Sequence, residues 1–493
     1  MSLSAGAPAW AERTVVEPWA SARITASDNA GLGLATSGRD IVTDLAAGVR
    51  VRAEGARLSL IGSASLESFH YARHTQSNEI VPSVDLTGRW MAIERFLFIE
   101  ASARTTQTYI DPYGPGLTST STGNNTTLTQ YSLSPFIQSD LSSDLHFRAR
   151  SDNSKTKDYS LTSAEVDAID SAYFGFHTSS LERDPVPLGW RLEAQRSETR
   201  YQGEFVPLIT DVQRALVNWA VTPTARVGLR VGVERNNFLA DDGWTPVYGG
   251  QAAWRPSERT NFLFEIEHRF FGNGLNLMFT HRMPWLAWDL RASRSLDTTP
   301  ASIFDMAPTN NVAALLDAIL TTRFPDPAAR AAQVQDIISR QGLPASTTTA
   351  ISILSPRLSV AENVSAGLSF LGVRNTVALN LFVTRRRDAV DEGPFATDNP
   401  DVNNIQHGAT IAYTLRLTPT AAAGLTATYS RIKSIETASA DQYTTDASIG
   451  AHLVFQLATK TSAMFGVSQR KLTSNVSTPG RETSAFAFLD HRF

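Results

Sequence analysis

Arg481-Glu-Thr-Ser-Ala-Phe-Ala-Phe-Leu-Asp-His-Arg-Phe493 closes the chain, and its reading decides the fold. Counting back in steps of two gives Phe493, His491, Leu489, Ala487, Ala485 and Thr483; the alternate set is Arg492, Asp490, Phe488, Phe486 and Ser484. Successive side chains of a strand point to opposite faces, so one face here is mostly small or apolar and the other carries the charges. Phe486 and Phe488 sit on the charged face and blur the contrast. A soluble sandwich and a membrane barrel both use such strands, so the choice rests on the remaining chain.

A length of 493 residues would ordinarily make two or more soluble domains, whereas a large barrel uses it as one. Hydrophobic residues make up 42% of the chain and mean hydropathy is −0.16, with no apolar run approaching the roughly 18 residues of a membrane helix. That excludes a helical membrane protein and leaves a barrel open, because barrel strands alternate and average out. The net charge of −4, with no basic run longer than Arg385-Arg386-Arg387, gives no bias towards nucleic acid. The absence of cysteine removes disulfides and thiolate metal sites, and it suits an exported protein. Ala9-Trp10-Ala11 before Glu12 has the A-x-A form of a leader cleavage site, without the basic and apolar regions expected upstream. Residues 1–11 are therefore read as a leader remnant or disordered terminus, and 12–493 as the barrel.

From Thr14 onward, alternating stretches of about 10–15 residues are separated by two kinds of break. Short breaks fall at Glu54-Gly55, Met91–Glu94, Ser142–Asp144, Arg183–Pro187, Thr222–Ala225, Pro256–Glu258, Met283-Pro284, Gly372–Asn375, Thr418–Ala421 and Thr459–Thr461. Longer breaks, rich in Gly, Asn, Asp, Ser and Thr, fall at Asp111–Thr127, Asp152–Ser171, Asp388–Asn404 and Ser434–Gln442. The two kinds alternate along most of the chain, which is the pattern of an up-and-down antiparallel meander with tight turns at one rim and long loops at the other. Counting between breaks gives about 22 strands, with 18–24 as the range, and puts both termini at the short-turn rim. Trp90, Trp190, Trp219, Trp254 and Trp285 each lie within a few residues of a short turn. Indole settles at the headgroup level, so these five read as an aromatic girdle, where a sandwich would bury them mid-strand. The fold class is therefore an all-β transmembrane antiparallel barrel.

One segment, 305–345, breaks the rhythm. Asn311–Thr322 places Val312, Leu315, Leu316, Ile319 and Leu320 on one helical face. Asp326-Pro327 reads as an N-cap and first helical residue; Val334, Ile337 and Ile338 form a second stripe; Gly342 and Pro344 end it. The hairpin sits between strands ending near Thr299 and starting near Ser352. An isolated helix pair must bury its stripe against something. An external cap packed on loops and a plug or gate folded into the lumen both meet that need.

Period-two alternation puts Arg148, Arg150, Arg191, Glu193, Arg230, Glu234, Glu265, Glu267, Arg269, Asp289, Arg291 and Arg416 on the lumen side. Mixed, hydrogen-bonding charge suits neutral or weakly charged sugars better than a selected ion, and any one such residue also serves as a cross-strand salt bridge. The chain holds no G-x-S-x-G, P-loop or H-E-x-x-H motif. His146, His268, His281, His407 and His452 show no catalytic or ligand spacing, so neither enzyme nor cofactor is expected. Asp28-Asn29 could hold a divalent cation or start a turn. Arg385-Arg386-Arg387 either contacts lipopolysaccharide phosphates or forms a solvated loop base.

The terminal aromatic on an amphipathic strand resembles the C-terminal signature of bacterial outer-membrane barrels, with Leu489 and Phe493 as the signal for the barrel-assembly machinery and His491 where Tyr or Phe is usual. Val16-Glu-Pro18 through Ile24-Thr-Ala-Ser-Asp-Asn29, the first hairpin Asp44–Leu60, Leu315–Leu320, Phe324–Pro327 and Gly342–Pro344 resemble outer-membrane barrels of exosortase/PEP-CTERM systems and exopolysaccharide loci. Ala26-Ser27 stands where those barrels tend to carry an aromatic before Asp-Asn. The resemblance implies passive export of exopolysaccharide through the Gram-negative outer membrane, with periplasmic export proteins, polysaccharide and outer-membrane lipids as partners. A general or sugar-specific diffusion porin and a plugged structural or adhesion barrel are the alternatives, and none involves nucleic acid.

Overall fold

The computed structural model describes residues 13–109, 111–116, 118, 120, 123–158, 171–202, 206–239, 243–305, 311–344, 358–389, 403–435 and 441–493. The leader reading of residues 1–11 lies outside them, as do 159–170 and most of the Asp388–Asn404 break.

The first strands are β1 (Arg13–Ala30), β2 (Gly38–Glu54), β3 (Leu58–Tyr71), β4 (Glu79–Ile93), β5 (Leu97–Tyr109), β6 (Asn125–Asp140), β7 (Leu145–Asp158) and β8 (Ser171–Arg183). Then come β9 (Leu188–Tyr201), β10 (Leu208–Thr222), β11 (Ala225–Asn236), β12 (Thr245–Ser257), β13 (Thr260–Arg269), β14 (Gly272–Arg282) and β15 (Leu286–Asp297). Three helices follow, α1 (Thr299–Asp305), α2 (Asn311–Leu320) and α3 (Pro327–Gln341). The chain ends with β16 (Ser359–Leu371), β17 (Asn375–Asp388), β18 (Asn404–Thr418), β19 (Ala421–Ser434), β20 (Tyr443–Ala458), β21 (Thr461–Ser474) and β22 (Gly480–Arg492). They form one 22-stranded antiparallel sheet, closed by pairing of β1 with β22. Closure removes both sheet edges, so no strand among the described residues is left with an unpaired side.

The strand count and the alternation of rims agree with the sequence reading, and all ten short breaks fall between strands that the structure joins tightly. Two boundaries differ. β7 continues to Asp158, through residues read as loop, with Asp152, Ser154 and Thr156 buried in alternation on the inner face. Strand above the lipid level needs no apolar face, so hydropathy gives no sign of it. The insert begins earlier and ends later than expected, since β15 stops at Asp297 and β16 starts at Ser359. β13 and β14 join at the long-loop rim through a tight Arg269–Gly272 turn, with Gly272 at φ +94°.

Side chains of one parity are apolar and exposed, among them Leu192, Val217, Leu229 (74% exposed), Leu381, Ile411 and Phe465. The other parity is polar and buried, with Asn218, Glu234, Asn380, Thr410 and Arg470 among its members. A continuous apolar exterior over a polar interior is the surface of a barrel that crosses a membrane. No helix among the described residues is long and apolar enough to cross one. Trp90, Trp219, Trp254 and Trp285 are exposed and Trp190 is half-buried, all on strand ends or turns at the short-turn rim.

At the seam, Trp19 through Ser27 face Arg492 through Ser484. Phe486 and Phe488 face inward with Arg23, whose guanidinium lies 5.3 and 5.1 Å from their ring centroids. The two aromatics that blurred the last strand are thus a stacking platform for a lumen arginine. Asp28 and Asn29 stitch the same seam: Thr483 N donates to Asp28 Oδ1 at 2.7 Å, and Asn29 Nδ2 donates to the Arg481 carbonyl at 3.0 Å. Those bonds reach across to β22 and correct the expectation of a local turn. Phe493 and Leu489 point outward, and Phe493 N donates to the Pro18 carbonyl at 2.9 Å. Arg23→Ala is expected to weaken closure by about 0.5–2 kcal/mol per lost contact, read as a lower temperature for loss of the compact barrel on heat-modifiability gels, with Arg23→Lys between the two.

Candidate functional site: the lumen and its helical insert

The insert lies inside the barrel. Its stripe of Val312, Leu316, Ile319 and Leu320 on α2, with Val334, Ile338 and Leu343 from α3 and its end, packs on Ala287, Ala378 and Ala412. Those three alanines have the parity of Arg291, Asn380 and Thr414; the opposite parity of the same strands carries the exposed Leu290, Leu381 and Ile411. Leu315 and Ile337 flank the cluster half-buried. Ala at these wall positions leaves the depth that lets a helix seat against the sheet.

Local signals set the helix ends. Asp326 Oδ2 accepts the Ala329 N–H at 3.0 Å before Pro327, and Gly342 takes φ +64° while Leu343 N donates back to the Ile338 carbonyl at 3.1 Å. α2 stops at Leu320, short of the expected Thr322, because Phe324-Pro325 cannot continue it. Arg330 Nε bonds Asp317 at 2.7 Å and locks α3 to α2. Thr414 Oγ1 donates to Gln341 Oε1 at 2.7 Å, and Arg282 Nη1 to Thr322 Oγ1 at 3.2 Å. Both wall residues belong to the short-turn half of their strands, so the hairpin reaches deep into the lumen.

α1 has no counterpart in the sequence reading. It docks on a different wall, with Phe304 5.7 Å from Phe174 and the Pro300 carbonyl accepting from Gln130 Nε2 at 3.0 Å. Thr298 meets Thr199 at 3.3 Å. The chain therefore crosses from β15 to the inner faces of β6–β9 before returning to β15–β20. At the mouth, the β5–β6 loop also folds inward. Thr444 Oγ1 donates to the Tyr113 carbonyl at 2.5 Å, Arg470 Nη2 to Gly116 O at 3.1 Å, and Gln76 Nε2 to Thr120 O at 2.8 Å.

The strand register puts all twelve residues of the lumen set on the inner face, in several groups. On β9–β13, Arg214 joins Glu267 through two bonds of 2.5 and 3.0 Å, Gln195 at 2.9 Å and Glu193 at 3.3 Å. Glu193 also pairs with Arg191 at 2.8 Å, Arg230 with Glu265 at 3.2 Å, and Arg269 with Glu234 at 2.7 Å. On β4–β7, Arg150 bonds Glu100 and Asp152, each at 2.7 Å. Phe98 and Phe136 stack at 4.9 Å there, with Arg89 4.7 Å from Phe98 and Arg148 and Arg150 5.2 and 5.3 Å from Phe136. Asp289 and Arg291 pair at 3.1 Å beside α2, while Arg416 stands apart at the short-turn rim, bonding the Val373 carbonyl at 2.6 Å. Arg214, the hub, is absent from the sequence set because its strand also turns Val212 and Leu216 inward, which hides the polar face.

The basic run Arg385–Arg387 divides. Arg386 faces in, 3.7 Å from Asp297, whereas Arg387 faces out and shares Glu362 with Arg294 at 2.9 and 3.1 Å. Of the histidines, His146 bonds Asp140 at 2.7 Å, His268 stacks on Tyr248, His281 bonds Thr260, His407 lies against Tyr429, and His452 lies under Gly342. They sit on separate strands. Among the described residues, no group of three or more His, Asp or Glu could hold a metal ion.

No protein-family model matches the chain, and no curated protein matches it. Solved structures with similar barrels include three receptors. The ferric-catecholate import receptor Fiu from E. coli K12 is 9% identical, with a TM-score of 0.48 over 98% of this chain and 82% of that one. The siderophore receptor PirA from Acinetobacter baumannii is 10% identical, with a TM-score of 0.46 over 97% and 80%. The ferric enterobactin receptor PfeA from Pseudomonas aeruginosa is 11% identical, with a TM-score of 0.44 over 97% and 80%. At these identities the likeness is one of barrel shape.

Two substitutions test the site's energetics. Arg214→Ala removes both hydrogen bonds to buried Glu267, leaving it only Arg230 at 4.0 Å, and is expected to cost about 3–5 kcal/mol, much of it regained in Arg214→Met/Glu267→Leu; barrel unfolding in denaturant reads both. Leu316→Ala is expected to cost about 2–5 kcal/mol of insert docking, seen as faster tryptic cleavage at Arg323 and Arg330 with the barrel intact.

Proposed function

We propose that this protein is an outer-membrane transport barrel whose helical insert gates a lumen built for polar, hydrogen-bonding cargo. The observation that carries the reading is the seating of the Leu316 stripe on Ala287, Ala378 and Ala412, inside the wall. A cap for outer loops has no need to reach the short-turn half of the strands. Paired Arg and carboxylate groups, with Asn, Gln, Ser and Thr between them, give the lumen dense donors and acceptors without a single dominant charge.

Within that frame the cargo is exopolysaccharide, and the barrel is the outer-membrane member of an exosortase/PEP-CTERM-type synthesis and export system. The chemistry of the wall and the resemblance of Val16–Asn29 and Leu315–Leu320 support this reading. The short-turn rim then faces the periplasm, where both end strands meet and export proteins would dock. Outward Arg294 and Arg387 stand just above the apolar Val364 and Val383, at the level of lipopolysaccharide phosphates. Function is passive translocation, with no covalent step.

Planar-bilayer conductance tests the gate. The intact barrel is expected to conduct poorly, and replacement of residues 311–343 by a short Gly/Ser linker to open a large pore. Equal conduction by both would make the protein a diffusion porin. Closure of both would make it a plugged structural or adhesion barrel.

A further inference from the structure

We infer that the groove between α2 and the wall of β12–β17 is the binding path for a single acidic polysaccharide strand. The inference deepens the transport reading above and rests on it. The groove encloses about 850 Å³. One bank is the α2 face of Ala314, Leu315 and Ala318. The other is a column of inward amides and hydroxyls, including Asn261, Thr280, Ser365, Asn380 and Thr384. It begins at the β12–β13 turn on the short-turn rim and reaches Arg386, two residues short of the long-loop end of β17. The rise from Asn380 to Arg386 alone is about 20 Å at ~3.3 Å per residue. Spread over that length, the volume makes the groove a narrow slot rather than a wide channel. That width fits one extended sugar chain and excludes a folded domain.

An amide carries both donors and an acceptor and a hydroxyl does both, the chemistry that successive sugar hydroxyls require. The alanines on the helix bank keep the groove open where larger side chains would fill it. Charge sets the class of sugar. Among the described lining residues, Arg255, Arg259, Arg282, Arg291 and Arg386 face Glu258 and Asp289. Arg291 and Arg386 are held by Asp289 and Asp297, whereas Arg255, Arg259 and Arg282 gather at the short-turn mouth beside Glu258. A cationic mouth opening into a narrow, low-dielectric passage concentrates and orients a carboxylated polymer. The feature is separate from the paired Arg214–Glu267 wall, whose charges largely satisfy one another.

Calorimetric titration of the full chain in detergent micelles with trigalacturonate and with maltotriose tests the inference without any flux. Trigalacturonate is expected to bind about tenfold more tightly than maltotriose, and the preference to vanish in Arg255→Gln/Arg259→Gln. Ala318→Trp narrows the groove from the helix and Ser365→Phe from the wall; each is expected to abolish binding of both sugars while strand content and heat-modifiable mobility stay unchanged. Equal affinity for the two sugars, or undiminished binding in both narrowing variants, overturns it. Because binding is read in the closed barrel, a failed gate in the conductance experiment and an absent sugar path are distinguishable.

Discussion

Everything in this structure depends on the pairing of the first strand with the last. Inside a membrane, a strand edge has no water to satisfy its N–H and C=O groups, so the sheet has to close or leave the lipid. Closure brings together segments at opposite ends of the chain, with Trp19–Ser27 against Ser484–Arg492. Side chains reinforce it: Arg23 on Phe486 and Phe488, Ser27 bonded to Glu482 at 2.7 Å, and Asp28 accepting from Thr483. Arg23, Ser27 and Glu482 make these contacts from the lumen face and Asp28 near the long-loop end of its strand, where polar contacts cost no exposure to hydrocarbon.

A closed sheet of 22 strands encloses more space than its own side chains fill. The chain fills part of it from one long connection. α1 braces the wall of β6–β9, and α2 with α3 occupies that of β15–β20. The wall answers with composition: Ala287, Ala378 and Ala412 lie where the α2–α3 stripe seats, and Arg–carboxylate pairs cover much of the rest, Asp289–Arg291 beside α2 among them. The insert is fixed by roughly one apolar cluster and a few hydrogen bonds, far less than the ladders that hold the wall. The gating proposed above needs that hierarchy, since the insert would have to move while the barrel remains closed.

Position on the wall also decides what each charge does. Arg386 and Arg387 are neighbours in sequence, yet one faces Asp297 in the lumen at 3.7 Å and the other bonds Glu362 on the lipid-side rim. The same alternation separates Trp19, beneath Arg50 in the lumen, from Trp90 and Trp254 on the outer surface. Residue type alone would assign each of these pairs one role.

The sequence by itself determined the barrel, its strand number to within a few, its two unlike rims and the parity of the lumen residues, because strand alternation and turn chemistry are local and repeat many times. It also carried the caps of α3 in Asp326-Pro327 and Gly342, again local signals. Tertiary structure alone decided where the insert goes. The stripe Val312, Leu316, Ile319 and Leu320 announces that it must be buried, but not against which surface. The partners Ala287, Ala378 and Ala412 are small residues on three strands, unmarked in sequence. Arg214 as hub, α1 on the far wall and the folded β5–β6 loop were hidden for the same reason. Each depends on groups distant in the chain that meet only after the sheet has closed.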